Sequence, residues 1–134
     1  MMTDLIVQLL RLATAWTGYP EPAVPPEVHL TSAADMPCRC LGVFLYAKPI
    51  TGYGGATVLA PGRLLLRDDV NLMDPYGRSI LLHELVHVLQ AHAGAAEFGS
   101  RLWYQREREA YRVQSRFLSA LGPATQSFLL PGED

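Results

Sequence analysis

No run in the chain approaches the roughly 18 uncharged apolar residues needed to cross a bilayer, so no membrane-spanning helix is expected. Basic residues are too few to form a footprint for nucleic acid: 11 Lys and Arg stand against 13 Asp and Glu, a net charge of −2. Cysteine is scarce. The only two, Cys38 and Cys40, are one residue apart, which is half of a zinc site at most, and a disulfide across one residue is strained. Two reduced thiols at the start of a strand are therefore expected. The opening Met1-Met2-Thr3-Asp4-Leu5 carries an acid where a secretory signal would carry Lys or Arg, and Arg11 interrupts the apolar part, so the expected location is cytoplasmic. Charged residues make up only 18% against 49% hydrophobic, which excludes extensive disorder. The length of 134 residues predicts one domain with its own core.

What is present centres on His83-Glu84-Leu85-Val86-His87, inside an apolar run over 79–90. Residues four apart on a helix lie nearly over one another, so His83 and His87 can each offer a nitrogen to the same ion. Glu84, on the same turn, can reach a water held there without coordinating the ion. Burying two imidazoles and a carboxylate on a Leu/Ile/Val helix costs several kcal/mol unless something pairs with them, roughly the desolvation cost of such groups. A divalent ion is the simplest partner.

Patterning predicts an α+β chain without internal repeats. A helix is expected over 1–18, from Thr3 as N-cap to Gly18 as stop, with Leu5, Ile6, Leu9, Leu10, Leu12, Ala13 and Trp16 facing a core. Four prolines make 19–26 an extended connector that straps this helix across the domain. A small, mainly antiparallel sheet is expected over 27–67, with strands at 27–31, 41–47 and 56–60, the last turning through Pro61-Gly62 into 63–67. Between strands, Thr51-Gly52-Tyr53-Gly54-Gly55 reads as a loop, with Tyr53 placed to serve as a cleft rim. Asp74-Pro75 opens the motif helix, 75–93, which Gly94 stops. Ser100 caps a second long helix, 100–121, and 124–134 is a tail in which Phe128, Leu129 and Leu130 can tack onto the surface.

A catalytic zinc needs three protein ligands and one open position. A third histidine in the pattern H-E-x-x-H-x-x-G-x-x-H is not available: Gln90 stands in place of Gly and Ala93 in place of His, with His92 one position off. The second helix instead supplies Glu107 and Glu109, about 200° apart around its axis, so only one can face the ion. Glu109, mid-helix and next to the small Ala110, is the expected ligand.

In this arrangement, His83-Glu84-Leu85-Val86-His87 followed by Glu109-Ala110-Tyr111, the chain resembles the gluzincin branch of the zincin metallopeptidases, in particular its minimal members, over about residues 41–121. The resemblance implies a zincin-like fold, Zn2+ held by His83, His87 and Glu109, and Glu84 as general base in hydrolysis of a peptide or protein substrate. It also marks a departure. Gluzincins of the thermolysin type place an acid four residues after the glutamate ligand to orient a histidine, and here that position is Val113. Another acceptor is then required, with Glu107, Asp68, Asp69 or a backbone carbonyl as candidates.

Tyr111 is the first choice to stabilise a developing oxyanion, ahead of Tyr104, Arg112 and Arg116, while Trp16 and Trp103 are assigned to the core. The strand edges at 41–47 or 63–67 could hold an extended peptide. The rival reading is a zincin-like interaction domain that binds zinc and turns over little. The retained Glu84 speaks against it.

Overall fold

The computed structural model describes residues 2–45, 49–51, 57–59, 62–94 and 96–121. Among these, three helices and a small mixed sheet form an α+β arrangement. Helix α1 (Met2–Thr17) buries Ile6, Leu9, Leu10 and Ala13, one stripe at helical spacing. Gly18, at φ +82°, ends it in the left-handed conformation that suits glycine. The proline-rich connector carries no ladder and enters β1 (Glu27–Thr31) as the Glu27 amide donates to the Gly62 carbonyl.

A 3-10 turn (Ala33–Asp35) separates β1 from β2 (Gly42–Leu45), followed by β3 (Pro49–Thr51), β4 (Thr57–Leu59) and β5 (Arg63–Arg67). The three-stranded sheet has the order β1-β5-β2, with β5 parallel to β1 (Val28 opposite Leu64) and antiparallel to β2 (Phe44 opposite Leu64). Two sequence expectations are corrected here. The sheet is mixed rather than mainly antiparallel. The segment expected to form a hairpin with 63–67 contributes β4, which pairs instead with β3, Val58 opposite Ile50. Both edges of β5 are taken by β1 and β2, and Leu64 and Leu66 are fully buried, so β5 is the sheet's centre and has no free edge for a hairpin partner. The turn at Pro61, the glycine-rich loop with Tyr53, and the tail with Phe128, Leu129 and Leu130 lie outside the described residues.

Helix α2 (Pro75–His92) packs against α1, α3 (Arg101–Ala120) and β2, and is accordingly apolar almost all round: Leu81, Leu82, Leu85, Val86 and Val88 are fully buried. Its start matches the sequence signals. The Asp74 side chain accepts from the Tyr76 amide at 3.1 Å and Pro75 occupies the first turn. Gly77 lies so close to the preceding turn that a Cβ there would collide with the Asn71 carbonyl. Ser100 caps α3 by accepting from the Trp103 amide at 3.1 Å. No helix among the described residues is long and apolar enough to cross a membrane.

Candidate metal centre

Contacts between α2 and α3 run in opposite directions along the two helices: Gln90 meets Arg106, His87 meets Glu107, His83 meets Tyr111 and Ser79 meets Gln114. The helices are therefore antiparallel, as the short loop between them requires. The motif face of α2 is pressed against one stripe of α3.

On that face, His83 Nε2 and His87 Nε2 are 3.2 Å apart. The Glu107 carboxylate contacts His87 Nε2 and stands 3.7 Å from His83 Nε2, and the three ligand atoms lie within 4.8 Å of one another. Glu107 thus occupies the place expected of Glu109. Two residues further on, Glu109 points away: its Oε1 accepts from the Tyr19 hydroxyl at 2.8 Å and from Gln90 Nε2 at 2.9 Å. The physical reason is phase. Ala110, Val113, Gln114 and Leu118 form the buried stripe of α3, and Glu107 sits three residues before Ala110 on that stripe, whereas Glu109 is one residue off it.

The protonation of the centre can be read from its neighbours. Gln90 Nε2 donates to two acceptors, the Arg106 carbonyl at 2.8 Å and Glu109, which fixes the amide so that its oxygen faces His87 Nδ1, also at 2.8 Å. Nδ1 must then carry the hydrogen, and His87 Nε2 in the neutral ring is a bare lone pair. It faces a second imidazole nitrogen and a carboxylate. The neutral His83 ring can donate from Nε2 into this space, which leaves its Nδ1 as the lone pair, whereas an added proton or a metal ion would pair with all three groups at once.

Without a metal, a proton takes that role. Burial alone would lower the His87 pKa, but its hydrogen bond to Glu107 and the charges of Glu84 and Glu107 raise it overall. Burial would raise Glu107, yet the hydrogen bonds and charges of His83 and His87 hold it far below the usual carboxylate range. The His83 Nδ1 atom is buried with no hydrogen-bond partner among the described residues.

Glu84 is buried beside the triad, with its Oε2 3.9 Å from His83 Nε2. Burial pushes its carboxyl up; the two histidines pull the other way and Glu107 adds to the rise. The edge strand reaches it directly, since a Cβ on Gly42 would lie 2.7 Å from Glu84 Cγ. Strand β2 and Glu84 therefore form adjoining walls of one cleft, about 960 Å³ in volume, which also includes Tyr111, Phe98 and Trp103.

Tyr111 lines the cleft as expected, its ring edge-on to His83 with centroids 4.5 Å apart, and burial and then the Glu107 charge raise its pKa. It also stands four residues after Glu107, where the resemblance calls for an acid, while Val113 is simply core. Tyr104 and Arg112 are exposed outside the lining, and Arg116 lies over the Trp16 ring at 4.2 Å. Trp103, expected in the core, borders the cleft beside Phe98, with ring centroids 4.7 Å apart. His92 bonds the Val88 carbonyl and His29 is exposed on β1. Asp69 pairs with Arg67, so it is not the acceptor for a histidine.

Cys38 and Cys40 also border the cleft, and contrary to the expected reduced thiols they are joined in a disulfide. The chain bends over 37–41, bringing their Cα atoms to 5.3 Å, a separation that a disulfide spans.

Sequence reasoning missed Gln90 as the partner of His87. The signal was there: it lies three residues after His87, on the same face, in a run otherwise apolar. A scan against protein-family models and searches of curated proteins and of solved structures found no match to this chain.

Proposed function

We propose that the chain is a small zinc-dependent hydrolase, a metallopeptidase of zincin-like architecture in which His83, His87 and Glu107 hold the ion and Glu84 is the general base. The observation that carries this reading is the convergence of two imidazole Nε2 atoms, 3.2 Å apart, with the Glu107 carboxylate, their ligand atoms all within 4.8 Å of one another. Two nitrogens and one carboxylate oxygen, with room beside them, are a donor set suited to catalytic zinc. When bound, such an ion polarises a carbonyl and acidifies a coordinated water.

The chain's own residues supply the rest. Glu84, beside the ligands but not among them, accepts the proton of the attacking water and returns it to the leaving amine. Tyr111, in the cleft against His83, is the protein donor for the developing oxyanion. Strand β2 is at the edge of its sheet and borders the cleft, so its outer N–H and C=O groups can hold an extended peptide as an added strand. Strand β5, the other candidate for this role, is central and has no edge to offer.

The test combines metal analysis of the purified protein with digestion of a broad peptide library by wild type and Glu84→Gln. One equivalent of zinc with cleavage by the wild type alone supports the peptidase. Zinc bound equally by both proteins, with cleavage by neither, identifies an interaction domain instead.

A further inference from the structure

The centre's unassigned polar groups form one chain. The Tyr19 hydroxyl donates to Glu109 Oε1 at 2.8 Å, Gln90 Nε2 donates to the same oxygen at 2.9 Å, and His87 Nδ1–H donates to Gln90 Oε1 at 2.8 Å. It spans three separate segments, the connector, α3 and α2, and ends on the side of His87 opposite the metal-facing nitrogen. Gln90 is 2% exposed. Leucine or methionine would fill such a position without the cost of burying an amide, so an amide with both its N–H groups committed needs a purpose beyond packing.

We propose that Gln90, backed by the Glu109 carboxylate, is the positioning residue of the metal centre. It sets the His87 tautomer and ring orientation and raises the basicity of Nε2 toward the ion. The inference rests on the metal-binding reading above and deepens it. Glu109 is not a ligand in this arrangement. Its negative charge reaches the centre through the Gln90 amide, whose dipole it polarises, and it takes the part of the acid that the resemblance calls for four residues after the ligand, where Tyr111 stands. Tyr19 and Gln90 hold the carboxylate from two sides, so the proline-rich connector helps to orient a group on α3.

The experiment measures zinc affinity by competition with a chromophoric chelator, and the melting temperature of the metal-free protein, for wild type, His83→Ala, Gln90→Leu, Glu109→Gln and the double exchange Gln90→Glu/Glu109→Gln. Gln90→Leu is expected to weaken zinc about 10- to 100-fold, the range typical of lost outer partners, and Glu109→Gln to weaken it less. The double exchange places a carboxylate directly on His87 Nδ1–H and an amide at position 109 to donate to it, but loses the donor to the Arg106 carbonyl, and should bind zinc more tightly than Gln90→Leu. A strut without influence on the metal would lower melting temperatures and leave every affinity unchanged, which overturns the proposal. So does a double exchange no tighter than Gln90→Leu. Glu109→Gln is near-isosteric, and a wild-type affinity in it overturns the proposal if Gln90→Leu does not fold. If folded wild type binds no more zinc than His83→Ala, the metal reading itself fails. If wild type binds one equivalent that His83→Ala loses, a wild-type affinity in Gln90→Leu sinks this inference alone.

Discussion

Two residues apart on α3, Glu107 reaches the imidazoles of His83 and His87, whereas Glu109 reaches the phenol of Tyr19 and the amide of Gln90. The two carboxylates are half-buried on the same helix and differ in what faces them. The partners of Glu109 are O–H and N–H groups that donate at any ordinary pH, so it is satisfied without help. Those of Glu107 are ring nitrogens: His87 Nε2 donates only when a proton has been added, and His83 Nε2 in only one of its two neutral tautomers. A carboxylate facing conditional donors is incomplete in the neutral state and has an affinity for a cation; one facing permanent donors has none to spare.

Glu84, a third carboxylate at the same centre, sharpens the contrast, because it is near the ligands yet assigned to chemistry. Glu84→Gln should lower peptide hydrolysis by about 10²- to 10⁴-fold, the usual worth of a general base, with zinc content unchanged. Loss of zinc along with activity would make Glu84 a ligand rather than a base. Next in size is the direct comparison. Glu107→Gln should weaken zinc by more than about 100-fold, beyond what outer partners contribute, while Glu109→Gln stays within about 10-fold in the same titration. The reverse order would restore Glu109 as the ligand and break the comparison. A smaller effect is expected from the strand side. Gly42→Ala puts a Cβ 2.7 Å from Glu84 Cγ, so the carboxylate must shift. Hydrolysis should drop by up to about 100-fold with zinc affinity intact, the cost that a misplacement of about 1 Å at a catalytic group can carry.

The helices were legible because their signals are local: the stripe of Ile6, Leu9, Leu10 and Ala13, the Asp74-Pro75 start, the Ser100 cap. The imidazole pair was legible for the same reason, since spacing of four on one helix determines it. The choice between Glu107 and Glu109 depended on the rotational phase of α3. Ala110 did mark the close face, as its complete burial confirms, but the residue sharing that face is three positions back, not the adjacent one. Extending the buried stripe of Ala110, Val113, Gln114 and Leu118 backward by a turn arrives at Glu107. Strand pairing was not legible from local pattern. A Pro-Gly pair between two apolar runs suits a hairpin, but β5 gains more by sitting between β1 and β2, where Leu64 and Leu66 are buried, and that is decided by residues 18 to 36 positions away.

The smallest expected effect is on the pH profile of the metal-free protein, and it too separates Glu107 from Glu109. Glu107, held below its ordinary 4.5, contributes stability above that value and loses it as pH falls through the depressed one. His87, raised above its ordinary 6.5, contributes stability below that value and loses it as pH rises through the raised one. Both shifts describe one ion pair, present only while Glu107 is ionised and His87 is protonated. The melting temperature of metal-free protein should therefore rise by a few degrees from pH 8 toward about pH 5.5, where the pair is complete, and fall again at stronger acid. Burial of Glu84, whose pKa is raised, adds to the rise, because the folded state takes up its proton before the unfolded one. With zinc in excess the slope over the same interval reverses, since protons compete with the ion for the imidazoles. Calorimetry with and without zinc reads both signs. Glu107→Gln should remove the part of the metal-free rise that belongs to the pair, and Glu109→Gln should reduce it only slightly, because that carboxylate reaches His87 only through the Gln90 amide. A profile flattened by Glu109→Gln instead would mean that the proton sits on the other side of Gln90.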